Sequence, residues 1–129
     1  MKPMANGKHV LVLEDNPRVI AVLQAKLPYS LTILSSRREA EEYLETHPKE
    51  MFDAVLLDRN DANDESFHDV DLSRFDPKTI IAISSVPRHN ESARRLGITH
   101  TVTKEYYDIE ASVERIARKL AEILPNVIP

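Results

Sequence analysis

The sequence predicts a single α/β domain, a three-layer α/β/α sandwich built on a five-stranded parallel sheet. Three observations carry the prediction. Short apolar runs rich in β-branched residues recur five times, and capped or helix-periodic segments fall between them. The chain has 129 residues, 42% hydrophobic and 29% charged, enough to bury a core on both faces of one sheet. Strands alternating with helices at this spacing imply parallel strands joined by right-handed crossovers. Continuous rather than alternating apolar strands are what a sheet covered on both faces requires.

The first run, His9 to Leu13, reads as a buried strand. Asn16-Pro17 follows, with Asn as helix N-cap and Pro at the first helical position, where its missing N–H costs nothing. Ile20, Leu23 and Leu27 recur at helical spacing until Pro28. Leu31–Leu34 is a second strand. Ser36 and Glu39 have the spacing of a capping box, opening a helix through Ala40, Tyr43 and Leu44. Ala54–Leu57 is a third strand, ending on Asp58. The acidic stretch from Arg59 to Asp76 is less regular; Phe67, Val70 and Leu72 could line a short third helix. Thr79–Ile83 is a fourth strand, and Glu91–Leu96 a short helix closed by Gly97. His100–Thr103 is a fifth strand. Asp108 caps a long amphipathic helix carrying Ile109, Val113, Ile116, Leu120 and Ile123 on one stripe, stopped by Pro125. With no internal repeat or linker, residues 1–129 read as one domain with its core at about 9–124.

Composition removes several function classes. The net charge of −4 argues against direct nucleic-acid binding through phosphate contacts. The absence of cysteine excludes disulfides, zinc–thiolate sites and thiol nucleophiles. With only Gly7 and Gly97, neither a P-loop nor a dinucleotide fingerprint can be written. No apolar run approaches the roughly 20 residues that span a bilayer, and the polar start of the chain lacks a signal region, so the expected location is cytoplasmic, with no membrane contact. His9, His47, His68, His89 and His100 show no metal-ligand spacing. Asp58-Arg-Asn60 and Asp61-Ala-Asn63 begin like calcium loops but lack the Gly and Glu such loops need.

The strand ends carry the chemistry. In an open parallel sheet, ligands bind beyond the carboxyl ends of the strands. Glu14-Asp15 follows strand 1, Asp58 strand 3, Ser84-Ser85 strand 4 and Lys104 strand 5. If the strands lie in the order 2-1-3-4-5, strands 1 and 3 are neighbours and the three carboxylates converge between them. Three carboxylates at short range need a counter-charge, or one of them protonates. A hard divalent cation answers this: Mg²⁺ takes a few carboxylates plus waters and leaves positions for phosphate oxygens. Lys104 adds a positive charge on a flexible stem, and Ser84 a small hydroxyl donor. These parts suit phosphoryl transfer to a carboxylate, where catalysis is mostly positioning and charge neutralisation.

Taken together, the acidic pair Glu14-Asp15, Asp58, Ser84-Ser85, Lys104 and the Gly97-to-Lys104 spacing resemble the receiver domain of two-component response regulators, over about residues 9–124. The resemblance implies a flavodoxin-like sheet in the order 2-1-3-4-5. It implies that Asp58 accepts a phosphoryl group from a histidine kinase or phosphotransfer partner. It further implies that Asp15 binds Mg²⁺ directly, Glu14 binds it through a water, and Asn60 offers a backbone carbonyl. Ser84 would move to hydrogen-bond the phosphoryl group and Lys104 would pair with it. Such a domain is no enzyme beyond its own phosphorylation and dephosphorylation, and its output passes through a protein partner.

Several positions depart from the family pattern. Glu105 stands where Pro usually follows the lysine, so a trans peptide and a rearranged loop are expected, because a non-proline cis bond costs about 3–4 kcal/mol. Thr101 stands where an aromatic switch residue is usual, and Tyr106 and Tyr107 lie beyond the lysine, out of register. The loop after Asp58 lacks the usual Pro and Gly. These departures open a second function, a phosphorylation-independent interaction module. A third, an Asp-nucleophile phosphohydrolase, is weakened because such enzymes generally carry the nucleophile after the first strand with a second Asp two residues on, whereas Asn60 follows Asp58.

Overall fold

Five strands form one sheet: β1 (His9–Leu13), β2 (Ser30–Leu34), β3 (Ala54–Asp58), β4 (Ile80–Ser84) and β5 (His100–Thr103). The computed structural model describes residues 8–58, 67, 70–84, 94, 97–105 and 107–124. All four pairings are parallel, and the order is β2-β1-β3-β4-β5, as expected. Among the described residues, three α-helices pack on the sheet: α1 (Pro17–Lys26), α2 (Arg37–Thr46) and α3 (Ile109–Ile123).

The strands are apolar throughout because they are covered on both sides. Successive residues point to opposite faces, and the core divides accordingly. Val10, Val12, Leu56, Ile81, Ile83 and Val102 pack with α1 and α3, through Val19, Leu23, Val113, Ile116 and Leu120. Leu11, Leu13, Val55, Leu57, Ile80 and Ala82 pack on the other side with Ala40 and Leu44 of α2. Each fully buried Leu or Ile contributes about 1.5–3 kcal/mol relative to exposure. Two layers of helix on one sheet make the predicted three-layer sandwich.

The helix starts follow the sequence closely. Asn16 Oδ1 accepts from Arg18 N and Val19 N at 2.9 and 3.4 Å, with Pro17 at the first helical position. Ser36 Oγ accepts from Glu39 N at 3.0 Å, while Glu39 Oε1 accepts from Ser35 N at 2.8 Å. The capping box therefore closes one residue further out than the standard form. Asp108 Oδ1 accepts from Ala111 N at 3.1 Å and opens α3. Gly97 has φ of +86° and its N–H donates to Arg94 O at 3.0 Å, the left-handed C-cap predicted for it. The rest of the 91–96 segment lies outside the described residues, as do Pro125 and most of the acidic loop after Asp58.

Other expectations need correction. Thr79 is not in β4 but in a 3-10 turn, Pro77–Thr79, capped by the Asp76 side chain on Lys78 N at 2.9 Å. The expected helix does not extend through Leu72: Phe67 lies in a 3-10 turn, with Val70 N donating to Phe67 O at 3.1 Å, but residues 70–76 are bends, turns and irregular chain, with Phe75 N donating to Leu72 O at 3.0 Å. Along α1 the expected Leu23 and Leu27 are fully buried, joined by Val19 four residues before Leu23, while Ile20 is only half-buried at the margin of that stripe. The core also takes in Tyr29, Phe52 and Phe75, which stand outside any periodic run. Arg74 holds the last of these in place. It donates to the α2 carbonyls of Leu44 and to His47 at 2.8 and 2.9 Å and lies over the Phe75 ring. No helix among the described residues is long and apolar enough to cross a membrane.

Candidate functional site

Strand register builds the site. Leu13 of β1 pairs with Leu57 of β3, so the next residues on these central neighbours, Glu14 and Asp58, emerge side by side. Ser84 ends β4 opposite Thr103, which places Lys104 just beyond the same edge. The Lys104 N–H donates to Ser84 O at 2.8 Å and continues the ladder one step past β5.

Glu14 is fully buried. Its Oε2 accepts from the backbone N–H groups of Asp15 and Asn16, both at 3.1 Å, so the turn into α1 folds around its carboxylate. The Lys104 ammonium donates to Glu14 Oε1 and Oε2 at 3.0 and 3.3 Å and lies 3.3 Å from Asp58 Oδ1. Lys104 and Asp58 are buried too, at 2% and 6% exposure, while Asp15 is half-buried. One carboxylate oxygen each from Glu14, Asp15 and Asp58 lies within 4.8 Å of the other two. The structure thus gathers Glu14, Asp15, Asp58, Ser84 and Lys104 at one edge of the sheet. Asn60 and Ser85 lie outside the described residues.

The electrostatics are unbalanced. Burial pushes the Glu14 carboxyl up to about 7, and the neighbouring Asp58 charge pushes the same way, against the pull of Lys104. One ammonium therefore does not neutralise three carboxylates. An all-oxygen donor set with surplus negative charge at a partly open sheet edge fits a hard divalent cation. The arrangement can hold such an ion and present an oxygen nucleophile beside it.

The Lys104–Glu105 junction is not cis, since no cis peptide occurs among the described residues. Sequence reasoning missed what holds this junction. Glu105 N donates to Ser112 Oγ at 2.8 Å, and Arg115 Nη2 donates to Thr103 O at 2.9 Å and to Glu105 Oε1 at 3.3 Å. The available signal was a small hydroxyl residue four positions after the Asp108 cap, beside the apolar stripe of α3.

No protein-family model matches the chain, nor does any curated protein sequence. Solved structures do match. The Mn²⁺-bound form of the response regulator Rcp1 superposes with TM-score 0.72 at 16% identity, over 94% of this chain and 97% of that one. The chemotaxis response regulator CheY4 of Vibrio cholerae gives 0.63 at 20% identity, over 88% and 99% of the two chains. A response regulator described as putative, from Chloroflexus aurantiacus J-10-fl, gives 0.62 at 18% identity, over 89% and 98%. The chain has the CheY-like receiver fold. In this fold Glu14 and Asp15 follow the neighbouring strand β1 and Asp58 ends β3, where sheet order and register bring them together. Among the described residues, Glu14, Asp15 and Asp58 make the one group of three metal-competent side chains.

Proposed function

We propose that this chain is a response-regulator receiver domain whose Asp58 carboxylate accepts a phosphoryl group, making it a Mg²⁺-dependent signalling switch. The observation that carries the reading is the buried Lys104 ammonium, which lies between Glu14 and Asp58 where three carboxylates meet at the strand ends. The receiver fold supports it.

In the proposed step an Asp58 oxygen attacks the phosphorus of a phosphohistidine on a sensor kinase or phosphotransfer partner. The O–P bond forms as the P–N bond breaks, and the imidazole nitrogen keeps the electron pair and takes up a proton. Asp15, Asp58 and the backbone carbonyl of Asn60 would hold Mg²⁺, with Glu14 reaching it through a water, and the bound ion would supply charge neutralisation for the phosphoryl group. The resting contacts of Lys104 leave its ammonium close enough to Asp58 to move onto a phosphoryl oxygen there. Ser84, buried at the end of β4, would donate its hydroxyl to the same group. The domain would turn over nothing but its own acyl phosphate, act in the cytoplasm, and pass the signal to a protein partner without touching nucleic acid or membrane.

Incubation with Mg²⁺ and acetyl phosphate, followed by intact mass measurement, tests this. One phosphoryl mass is expected on the natural chain and none on Asp58→Ala. No adduct, or an adduct that persists in Asp58→Ala, refutes the reading. Amide NMR shifts that do not respond to beryllofluoride with Mg²⁺ would favour a phosphorylation-independent interaction module instead.

A further inference from the structure

Lys104 is a long, flexible side chain, so its ammonium is only as well placed as its backbone. The peptides on either side of it are held by side chains of α3. On the near side, Thr103 O accepts from Arg115 Nη2 at 2.9 Å. On the far side, Glu105 N donates to Ser112 Oγ at 2.8 Å, and the Glu105 carboxylate meets Arg115 at 3.3 Å. Between them, Lys104 N donates to Ser84 O at 2.8 Å. Ser112 is 1% exposed and its hydroxyl is fully used: it accepts from Glu105 N and, at 3.4 Å, from Arg115, and donates to Asp108 O at 3.2 Å. The Asp108 N–H closes the turn onto Glu105 O at 3.1 Å.

We propose that Ser112 and Arg115 are positioning residues for Lys104. By clamping the peptides of Thr103 and Glu105 to α3, they aim the ammonium at Glu14 and Asp58. A trans peptide ending in a charged residue has no ring to stiffen it, and the side-chain clamp supplies the stiffness instead. The inference rests on the phosphoryl-accepting role of Asp58, and neither residue touches the acidic cluster itself.

The test measures Asp58 phosphorylation by acetyl phosphate in Ser112→Ala, Arg115→Ala and Lys104→Ala, and in the double variants with Lys104→Ala. It is run well below each variant's melting temperature, with Mg²⁺ affinity followed in parallel. The rate at saturating donor is expected to fall by about tenfold in each clamp variant, since displacing a catalytic group by a fraction of an ångström costs that order. Mg²⁺ binding is expected to hold, because its proposed ligands stand at and just after the ends of β1 and β3, away from the β5–α3 junction. In the Lys104→Ala background the clamp substitutions are expected to add nothing further. Loss of the same size with and without Lys104, or no loss of rate, overturns the proposal. If the natural chain accepts no phosphoryl group, the functional reading fails. The clamp is then judged by the Lys104 side-chain ¹⁵Nζ resonance, which must move in Ser112→Ala and Arg115→Ala; an unmoved resonance overturns it.

Discussion

Glu14 is buried beside Asp58, and its carboxyl titrates at about 7 rather than the usual 4.5, chiefly because burial penalises the charged form. The folded protein therefore holds this proton over a pH range in which the unfolded chain has released it. More protons on the folded state mean that stability falls as pH rises. Glu14 contributes most below pH 4.5, and the contribution is lost between pH 4.5 and 7. At about 1.4 kcal/mol for each pH unit between the two midpoints, the loss totals about 3 kcal/mol. Other carboxylates act the opposite way; Asp71, lowered first by its hydrogen bond to Ser73, is one. The perturbation is therefore Glu14→Gln, compared with the natural chain so that shared terms cancel. The assay is urea unfolding followed by far-ultraviolet circular dichroism, in EDTA, at half-unit steps from pH 5 to 8. The stability difference between the two proteins should shift by about 2.5 kcal/mol in favour of Glu14→Gln as pH rises through that window, the remainder having been lost below pH 5. Saturating Mg²⁺ should flatten the dependence, because the ion binds and stabilises the ionised carboxylates. A difference independent of pH refutes the claim that Glu14 is buried against an excess of negative charge.

Lys104→Met removes the cation facing Glu14 and Asp58, and breaking a buried pair costs about 3–5 kcal/mol. The loss should be largest in EDTA above pH 8 and smaller at pH 5.5, where Glu14 is protonated, as read from urea midpoints at both pH values. Arg74→Ala should cost about 1–3 kcal/mol through two lost bonds to the carbonyls at the end of α2, checked by thermal melting. Gly97→Ala should cost about 1 kcal/mol from the φ of +86° alone, since the added methyl would meet Pro77 at an ordinary 3.6 Å; a larger loss in a urea melt would contradict that account.

Helix caps were legible because they are local. Asn16-Pro17, the Ser36–Glu39 pair and Asp108 each satisfy backbone donors within four residues of themselves, so their effect depends on nothing distant. Continuous apolar strands were legible for a related reason: a strand buried on both faces leaves no room for polar residues. Phe52 and Phe75 were not legible as core. They sit in irregular connections between elements, and Phe52 meets the rings of His9 on β1, Tyr43 on α2 and Phe75 only once the chain has folded. The short helix expected around Phe67–Leu72 was limited for the same reason: the spacing suits a helix, but only Phe67 lies in a 3-10 turn, while Val70 is in a bend and Leu72 in irregular chain.

By itself the sequence determined the element order, the strand order implied by its family resemblance, and the residue types waiting at each strand end. Period, caps and composition are nearest-neighbour properties, and the chain states them directly. Only the tertiary structure decided how those ends meet. The pairing of Leu13 with Leu57 aligned Glu14 with Asp58, and Lys104 came to Glu14 from 90 residues away. Burial then gave Glu14 its raised titration point, which follows from desolvation and cannot be assigned to a residue type. The clamp from Ser112 and Arg115 was likewise invisible in the chain, because its bonds cross from α3 to the end of β5 and exist only when that helix docks.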